Sequence, residues 1–359
     1  MKVTLIGPAY PLRGGIAHHV FRLHQELTRR GHSVQVISFK RLYPGFLFPG
    51  KTTADTSEQK LDAGAVALLD PLNPLTWFLG FRTVRKFAPD LVIVQWWNTF
   101  FAPVTCVLCA LLAEAGIKVL IECHNVFPHE RKWFDFALAC AAFMPVKRFI
   151  VHSEADRESL RSIIQDGGVT VAPLPPIGEF RGSPRLKRDG RNILFFGLVR
   201  KYKGLDVLLR AMPRVLARFD CRLRIAGEFY DAVDRYERLI KELGIGSRVE
   251  IDNRYVPNEE VAGLFEWADV LVLPYLSATQ SGVAQIAFSN GLPIIASKTG
   301  GLSDVISDHV NGLFFSAGDE KGLADAIISY FADGLGPLFA TNIRSAKPAA
   351  RDLFSVLLD

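Results

Sequence analysis

Residues 1–39 read MKVTLIGPAYPLRGGIAHHVFRLHQELTRRGHSVQVISF, and this stretch predicts how the chain begins to fold. Met1–Gly7 is a short run of β-forming residues, and a Pro/Gly loop follows at Pro8–Gly15. The helix predicted behind this loop runs to Arg30, and a second strand covers Ser33–Phe39. A strand, a glycine loop, a helix and a strand in this order are typical of the first unit of a parallel α/β domain.

The same alternation continues along the chain. Continuous apolar runs predict buried parallel strands at Leu91–Gln95, Val119–Glu122 and Arg148–His152. Residues 173–192 interrupt the pattern with proline, glycine and charge, which predicts a linker. The alternation then restarts with a strand at Ile193–Phe196, a loop to Gly204, a helix over Leu205–Arg218, and strands at Arg222–Ala226, Asp269–Leu273 and Pro293–Ser297.

We therefore expect two Rossmann-like α/β domains, each built on a parallel sheet. The predicted boundaries are residues 1–175 for the first domain, 176–192 for the linker, 193–345 for the second domain, and 346–359 for a C-terminal helix that returns to the first domain. Ligands of such sheets bind beyond the carboxyl ends of the strands, so the site is expected in the cleft between the domains.

Composition narrows the class of protein further. Of the 359 residues, 49% are hydrophobic and 22% are charged, so a large core can be buried and wholesale disorder is excluded. The net charge is +5 and no arginine-rich arm is present, so nucleic acid is not the expected partner. The small basic excess lies in the first half, which suits either a contact with an anionic membrane surface or a scattered solvated surface.

Cysteine usage and the first residues lead us to expect a cytoplasmic protein. The five cysteines are an odd number, and Met1–Gly7 has neither the apolar core nor the cleavage site of a signal peptide. Cys106 and Cys109 form a CxxC pair inside an apolar run, where packing is a simpler explanation than zinc because no second pair stands nearby. No apolar run reaches the length of a membrane span, so any membrane contact is expected to be peripheral.

Two loops that follow predicted strands combine glycine with basic residues. Gly14 and Gly15, ahead of the first helix, allow a ligand to approach the backbone at a helix N-terminus, although such turns are common. The loop after Gly197 holds Arg200 and Lys203. These two cations either neutralise a leaving nucleoside diphosphate without metal or form a solvated basic turn, and the position after a strand favours the first explanation.

A third loop, at 275–283, offers small residues and hydroxyl groups ahead of a helix. Ser281, Gly282 and Val283 stand where backbone N–H groups cradle a phosphate. In the first half, the strand at 119–122 is followed by His124, His129 and Glu130, whose spacing does not place them on one helical face as a metal site would need. His124 at the end of the strand is where substrate groups belong.

Trp96 follows the strand at 91–95 and has two explanations. Its ring could stack on a sugar or bury an acceptor, or it could pack in the core, as large aromatic side chains commonly do. The sequence leaves both open.

Taken in order, these segments resemble the retaining glycosyltransferases of the GT-B fold, in the large fourth sequence family (glycosyl transferases group 1). The resemblance covers nearly the whole chain and rests on Gly14-Gly15, His124-Asn125, Arg200-x-x-Lys203-Gly204, Ala226-Gly227-Glu228, Asp269, Gly291-x-Pro293 and Gly300-Gly301-Leu302. It implies an α/β fold of two Rossmann-like domains facing across a cleft. It also implies transfer of a sugar from a nucleotide-sugar donor with retention of configuration, without cofactor or metal.

The resemblance implies a role for each matching residue. Arg200 and Lys203 would hold the pyrophosphate, and His124 would lie near the anomeric carbon, where it would steady positive charge or a sugar hydroxyl. The donor-binding residues would be Gly14, Gly15, Gly197, Glu228, Arg254, Gln280, Ser281, Gly282 and Val283, and the acceptor-side residues would be His129, Glu130 and Trp96.

One stretch departs from the family pattern. The family usually carries two glutamates eight residues apart before Gly-x-Pro, and Ala278 and Ile286 stand at these positions. The stretch looks instead like a subgroup with Thr-Gln-Ser-Gly at 279–282, in which Gln280 or Gln285 would take over the ribose contact. The expected function is transfer to a glycan or lipid-linked acceptor, and the alternatives are a catalytically weak nucleotide-binding protein and a nucleotide-sugar epimerase.

Overall fold

The computed structural model describes residues 1–44, 53–128, 131–164, 167–175, 177–182, 190–278, 281–346 and 353–358. The chain divides into two compact units. The N-terminal unit comprises Met1–Pro173 and Ala350–Asp359, and the C-terminal unit comprises Leu174–Ala349. Each unit is an α/β domain with its own parallel sheet, as the sequence predicted.

The described strands of the N-terminal unit form a seven-stranded parallel sheet in the order β3-β2-β1-β4-β5-β6-β7. Every residue of β4 and β5 is buried, as expected for strands that are covered on both faces of the sheet. The strands are β1 Lys2–Ile6, β2 Ser33–Phe39, β3 Val66–Leu69, β4 Leu91–Trp96, β5 Val119–Cys123, β6 Arg148–Val151 and β7 Gly168–Val171.

Helices connect these strands, and their ends follow local capping rules. At the start of α2, Asn73 Oδ1 accepts a hydrogen bond from the Leu75 N–H at 3.1 Å, and Pro74 occupies the first helical position, where a missing N–H costs nothing. The C-terminal helix packs on α1, where the Arg30 guanidinium lies 5.4 Å from the centroid of the Phe354 ring. The helices are α1 Gly15–Arg29, α2 Pro74–Phe87, α3 Ala102–Glu114, α4 Asp135–Phe143, α5 Glu154–Arg161 and α13 Leu353–Leu358.

The C-terminal unit repeats the arrangement with six described strands in the order β10-β9-β8-β11-β12-β13. The buried carboxylate of Asp269, just before β11, accepts hydrogen bonds from the N–H groups of Gly190 at 3.3 Å and Asn192 at 2.9 Å. These bonds tie the start of β8 to its neighbour. The strands are β8 Asn192–Phe196, β9 Arg222–Ala226, β10 Val249–Asp252, β11 Val270–Leu273, β12 Ile294–Ser297 and β13 Gly312–Phe315.

The helices of the C-terminal unit are α6 Leu205–Leu216, α7 Val233–Glu242, α8 Asn258–Trp267, α9 Gly282–Ser289, α10 Leu302–Val305, α11 Glu320–Ala332 and α12 Leu335–Ser345. Within the part of the chain that the structure describes, no single helix has both the length and the apolar character needed to cross a membrane. Among the described helices, α11 and α12 taken together reach that length and composition, and the chain bends by 89° between them.

Candidate active site

Each sheet reverses its strand order at one place. The reversal lies between β1 and β4 in the N-terminal unit and between β8 and β11 in the C-terminal unit. Connections from the carboxyl ends of two such strands leave toward opposite faces of the sheet, so a crevice opens between them, and ligands of open α/β sheets bind there. The residues that follow these four strands therefore form the candidate site of each unit.

In the C-terminal unit, Gly197 and Lys203 come together at the carboxyl end of β8. Gly197 follows the strand with a φ of 104°, which favours glycine. A Cβ atom placed on it would lie 3.2 Å from Lys203 Nζ and 3.4 Å from Val283 Cγ2. The loop after β8, the 3-10 turn Lys201–Lys203 and the first turn of α9 therefore converge at one point.

The ammonium group of Lys203 is buried without an anionic partner. The residue is only 8% exposed, and Nζ lies 5.3 Å from the centroid of the Tyr275 ring. None of the described carboxylates forms an ion pair with it. Burial lowers the pKa of Lys203, Tyr202 opposes this effect, and the positive charge of Arg200 adds to it. A buried cation is stabilised most by an anion, so this position is suited to an anionic ligand.

Arg200 supplies a second cation on the same turn. Its Cζ atom lies 4.8 Å from the centroid of the Tyr230 ring, and its carbonyl oxygen accepts from the Lys203 N–H at 2.9 Å. The side chain is partly exposed, and no carboxylate in the described ranges is paired with it. A guanidinium group offers planar, bidentate donors that match phosphate oxygens.

Two glycines hold this turn in place. At Gly204, with φ 64°, an added Cβ atom would lie 2.0 Å from the Pro274 carbonyl oxygen at the end of β11. At Gly227, with φ 151°, an added Cβ atom would lie 2.0 Å from the Gly197 carbonyl oxygen. The turn that carries Lys203 is therefore packed backbone against backbone between the ends of β9 and β11.

The start of α9 lies beside the Lys203 turn, as the contact of Val283 with Gly197 shows. Ser281 Oγ accepts from the Ala284 N–H at 3.3 Å and caps the helix. Helix geometry provides no intrahelical acceptor for the N–H groups of Gly282 and Val283, which remain for a ligand. Burial raises the pKa of Tyr275 to about 12, although a hydrogen bond with Ser281 lowers it in part.

The structure describes some of the remaining donor-side positions and not others. Gln280 lies outside the described residues. Gln285 and Ile286 are buried on α9, and Glu228 is buried at the end of β9. The structure thus places Glu228 at the same edge of the sheet as Gly197, since the Val199 N–H donates to the Glu228 carbonyl oxygen at 2.8 Å.

Arg254 is engaged within its own unit. Its Nε donates to Asp252 Oδ1 at 2.8 Å and its Nη1 donates to Glu260 Oε1 at 2.9 Å, while Nη2 donates to Glu260 Oε2. These bonds raise the pKa of Arg254 and lower that of Glu260. They join the end of β10 to the start of α8, and the donor-binding role of Arg254 stays a prediction.

In the N-terminal unit, Gly14 and Gly15 stand at the start of α1 with free space around them. Gly14 has a φ of 119°, and no described atom lies within 4 Å of a Cβ atom placed on either glycine. In the described structure no side chain caps this helix and no acidic residue occupies its first turn. The helix N-terminus is therefore open to a polar or anionic ligand group.

The end of β5 carries a buried polar network that the sequence analysis did not predict. Glu122 is fully buried, and its two carboxylate oxygens accept from His19 Nε2 at 2.7 Å and from Gln95 Nε2 at 2.8 Å. His124 Nε2 lies 2.6 Å from Gln95 Oε1, and His152 Nε2 lies 3.4 Å from Glu122 Oε1. Three histidines from separate elements thus surround one carboxylate.

The network determines the tautomer of His124. An ionised carboxylate only accepts hydrogen bonds, so the Gln95 amide must turn its NH₂ group toward Glu122 and its oxygen toward His124. The Nε2 atom of His124 must then carry the hydrogen. A neutral His124 in this tautomer has its lone pair on Nδ1, where it can accept a hydrogen bond from a hydroxyl group.

Glu122 and His124 differ in their charge state within this network. Burial would raise the pKa of Glu122, but the neighbouring His19, His152 and His124 outweigh it and hold that pKa far below its usual range. Burial lowers the pKa of His124 well below its ordinary value, and the neighbouring His19 acts in the same direction, while Glu122 opposes it. Glu122 is therefore an anion and His124 is neutral near pH 7.

His19, Glu122 and His124 are also described residues whose ligand atoms, all within 4.8 Å of one another, could hold a metal ion. The Nε2 atoms of both histidines already serve as hydrogen-bond donors, since His19 Nε2 donates to Glu122 and His124 Nε2 donates to Gln95. A metal needs a lone pair on the coordinating nitrogen, so coordination through these atoms would break both bonds and change both tautomers. The donor set is arranged as a hydrogen-bond network.

Gln95 and Glu122 had a signal in the sequence that could have revealed them. Each is a polar residue near the end of an otherwise apolar strand, and the two are register partners in the β4–β5 pair. His19 lies on α1, and no local pattern connects it with β5. Only the folded sheet shows that these residues meet.

The structure decides between the two explanations for Trp96. The residue is 1% exposed, its ring centroid lies 4.8 Å from that of Phe143, and its Nε1 donates to the Val126 carbonyl oxygen at 3.2 Å. Trp96 is a core residue, and its ring is not accessible to an acceptor. His129 and Glu130, the other acceptor-side candidates, lie outside the described residues.

Comparison with known proteins agrees with this arrangement. Residues 13–174 match the model of Glycosyltransferase Family 4, and residues 190–333 match that of Glycosyl transferases group 1. The uncharacterized glycosyltransferase MJ1607 of Methanocaldococcus jannaschii is 36% identical over 348 residues, which cover 88% of this chain and 85% of that protein.

Two solved structures share the fold. Sucrose-phosphate synthase from Thermosynechococcus elongatus is similar with a TM-score of 0.78 and 20% identity, covering 99% of this chain and 96% of that chain. Alr3699/HepE from Anabaena, solved in complex with UDP-glucose, is similar with a TM-score of 0.72 and 17% identity, covering 96% and 93% of the two chains.

Two α/β domains, each with its own parallel sheet, are the architecture of the GT-B fold, which these structures share. The chain belongs to the group 1 glycosyltransferases. The family and the fold inferred from the sequence are thereby confirmed.

Proposed function

We propose that this glycosyltransferase moves a hexosyl group from a nucleoside diphosphate sugar to a hydroxyl group of a glycan or lipid-linked acceptor, with retention of anomeric configuration. The observation that carries the proposal is the buried ammonium group of Lys203, which no described carboxylate neutralises. A nucleoside diphosphate gains negative charge as its bond to the sugar breaks, and a buried cation stabilises that charge more strongly than an exposed one.

We assign the donor diphosphate to the group around Lys203. Lys203 and Arg200 supply fixed positive charge, and Gly282 and Val283 supply N–H groups from the start of α9. Gly197 leaves room for the phosphate to approach the backbone. The UDP-glucose complex of Alr3699/HepE, a protein of the same fold, supports a nucleotide sugar as the class of donor.

In other reactions with a phosphate leaving group, a divalent metal ion neutralises the negative charge that develops. In the proposed reaction Lys203 and Arg200 neutralise it, so neither a metal nor a cofactor is needed. The bond between the anomeric carbon and the diphosphate oxygen breaks, and the acceptor oxygen bonds to that carbon on the same face. The proton of the acceptor hydroxyl passes to the departing diphosphate oxygen. The buried carboxylate of Glu122 is bonded to His19 and Gln95 and does not act as a nucleophile in this scheme.

We assign His124 to the transferred sugar. Its neutral imidazole, held as the Nε2–H tautomer by Gln95, accepts a hydrogen bond from a sugar hydroxyl through Nδ1. Gly14 and Gly15 present the open start of α1 to the sugar or the phosphates. The proposed compartment is the cytoplasm, since the five cysteines are free thiols, as in a reducing environment.

The test begins with calorimetric titration of UDP-, GDP- and ADP-sugars. We expect one donor class to bind, and turnover with an acceptor preparation should give a product whose anomeric configuration, read from NMR coupling constants, equals that of the donor. Failure of every donor to bind would refute the proposal, and an inverted product would refute retention.

The absence of glutamate at Ala278 and Ile286 favours one alternative, a nucleotide-binding protein with little turnover. Such a protein would bind a donor in calorimetry but release no nucleoside diphosphate with any acceptor. An epimerase would instead convert the donor alone into a second sugar. Product analysis with and without acceptor distinguishes the three activities.

A further inference from the structure

Helices α2, α3 and α4 form a layer on the N-terminal unit whose outer side is apolar. α3 packs against both α2 and α4, so the three helices are neighbours. Their inner sides contribute to the core through residues such as Trp77, Phe81 and Leu108. Their outer sides carry large apolar side chains that are exposed, namely Leu75, Phe78, Leu79, Val107, Phe136 and Met144.

The exposed apolar side chains of α2 all lie on one face of the helix. Phe78 and Leu79 lie three and four residues after Leu75, and Arg82 lies four and three residues after them, which places all four on one side of the helix. Leu75 is 76% exposed, whereas the residues on the opposite stripe are buried. A helix that faces water normally carries polar residues on its outer side, and the first two turns of α2 do not.

The outer sides of α3 and α4 continue the apolar surface. All residues from 102 to 113 and from 136 to 144 are described, and none of them has a charged side chain. Trp133, immediately before α4, is 92% exposed. The carboxylate of Asp135, at the start of α4, is buried and accepts from Thr99 Oγ1 and from the Lys132 N–H, so it adds no negative charge to this surface.

Basic residues border the apolar surface. Arg82, Arg85 and Lys86 lie on the later turns of α2, a helix whose sequence contains no acidic residue. Arg131 and Lys132 precede α4, and Lys147 follows it, and all six basic side chains are exposed. We call the surface formed by the outer sides of α2, α3 and α4, with Trp133 and these six residues, the docking face.

We propose that the docking face binds the surface of a lipid bilayer that contains anionic lipids. Exposed apolar patches bordered by polar residues mark interaction sites, and this one combines acyl-chain contacts with attraction to anionic headgroups. The indole ring of Trp133 is of the kind that prefers the membrane interface. A second copy of the chain fits less well, because its docking face would bring the same positive border against this one.

The inference goes beyond the transfer reaction and does not depend on it. The proposed function concerns the ends of β1, β4, β5, β8 and β11, and none of the docking-face residues belongs to that machinery. A bilayer at this face brings the enzyme to acceptors that are themselves lipid-linked.

The test measures co-sedimentation with two kinds of lipid vesicle, one of phosphatidylcholine alone and one that also contains phosphatidylglycerol. We expect the protein to sediment with the anionic vesicles and less with the neutral ones. Phe78→Glu should reduce the partition coefficient at least about tenfold, because it removes a ring that contacts the acyl chains in the bound state and places a carboxylate against anionic headgroups. Each of Arg82→Gln and Lys86→Gln should reduce it roughly fivefold on anionic vesicles alone.

Leu338→Glu is the matched control, since Leu338 is an exposed apolar residue on α12 of the C-terminal unit. We expect it to bind vesicles like the wild type. Equal loss in Leu338→Glu and Phe78→Glu, or no sedimentation of the wild type with either vesicle, would overturn the proposal. So would concentration-dependent dimerisation that Phe78→Glu abolishes without any vesicle binding.

Calorimetric binding of a nucleotide sugar should be the same in Phe78→Glu as in the wild type. Because vesicle binding and donor binding are measured separately, failure of the proposed function leaves vesicle sedimentation intact, and failure of this inference leaves donor binding intact.

Discussion

Lys203 is the residue at which burial and charge conflict most clearly. The residue is only 8% exposed, and its ammonium group has an aromatic ring rather than a described carboxylate beside it. Desolvation of a charge is costly in the absence of a ligand, and a bound diphosphate would offset this cost. The same argument predicts what substitution and pH change should do.

Lys203→Ala should reduce turnover by about 10² to 10³-fold, because it removes one fixed charge from the leaving group. Steady-state kinetics with the identified donor would measure this loss. Lys201→Ala, at an exposed lysine on the same turn, is the control and should change turnover less than about twofold. Similar losses in both variants would contradict the role assigned to Lys203.

Donor affinity should depend on pH through Lys203. Burial lowers the pKa of the free protein's lysine, and a bound diphosphate favours the charged form, so binding takes up a proton above the free pKa. Affinity should therefore be constant at lower pH and weaken as pH rises, beginning below the ordinary lysine value of about 10.4. Titration calorimetry at several pH values measures the pH at which donor affinity begins to fall. Lys203→Arg keeps its charge at these pH values and should not show this fall.

The Glu122–Gln95–His124 network predicts a positioning effect. In Glu122→Gln the carboxylate no longer forces the orientation of the Gln95 amide, so His124 is free to change tautomer. We expect kcat to fall roughly 10- to 100-fold with a smaller change in KM, and its pH profile to shift. Glu26→Gln, which breaks a surface pair with Arg29, is the control. An unchanged pH profile in Glu122→Gln would refute the positioning role.

At the scale of the element, the β8–β11 pair depends on side-chain contacts as well as on the ladder. Asp269 is buried and accepts from two backbone N–H groups at the start of β8. Asp269→Asn turns one acceptor into a donor facing an N–H group, which should cost about 1–3 kcal/mol of the free energy of unfolding.

Urea denaturation, followed by fluorescence, measures the cost of Asp269→Asn. Asp220→Asn, in an exposed pair with Arg248, should change stability by less than about 1 kcal/mol. If Asp269→Asn lowered the free energy of unfolding no more than the control does, the backbone hydrogen bonds between β8 and β11 would be enough to hold the two strands together.

The strands that the sequence analysis predicted and those it missed differ in their place in the sheet. All predicted strands are present, whereas β3, β7, β10 and β13 were not predicted, and these four are the sheet edges. Central strands are buried on both faces and read as continuous apolar runs. Most positions of β3, β7 and β10 are exposed or partly exposed, so their sequences do not carry the same signal, whereas β13 is mostly buried but begins with a glycine, which is uncommon in strands.

At the scale of the whole molecule, the end of the chain belongs to the N-terminal unit. Leu353, Val356 and Leu357 of α13 are buried there. A chain that ends at Ser345 would lose these side chains, each of which contributes about 1.5–3 kcal/mol when fully buried. The melting temperature of the N-terminal unit should therefore fall.

Scanning calorimetry of the truncated chain tests this, with the donor-induced stabilisation of the C-terminal unit as the internal control. That stabilisation should be retained, because the residues around Lys203 are all present in the shorter chain. Identical melting of the full and truncated chains would show that α13 contributes nothing to the unit.

Local sequence patterns are enough to predict the alternation of strands and helices, the division into two α/β domains and the loops that carry Gly14, Arg200, Lys203 and Ser281. These features are local, since the pattern of apolar and small residues along the chain reflects which strands are covered on both faces and which loops follow them.

Which side chains meet, and which are exposed, becomes visible in the folded chain alone. It buried Lys203 without a described carboxylate partner, placed Trp96 in the core, joined His19 to Glu122 across 103 residues and left the outer side of α2 uncovered. The physical reason is that burial and pairing depend on neighbours from distant parts of the chain. A residue's own segment does not contain them.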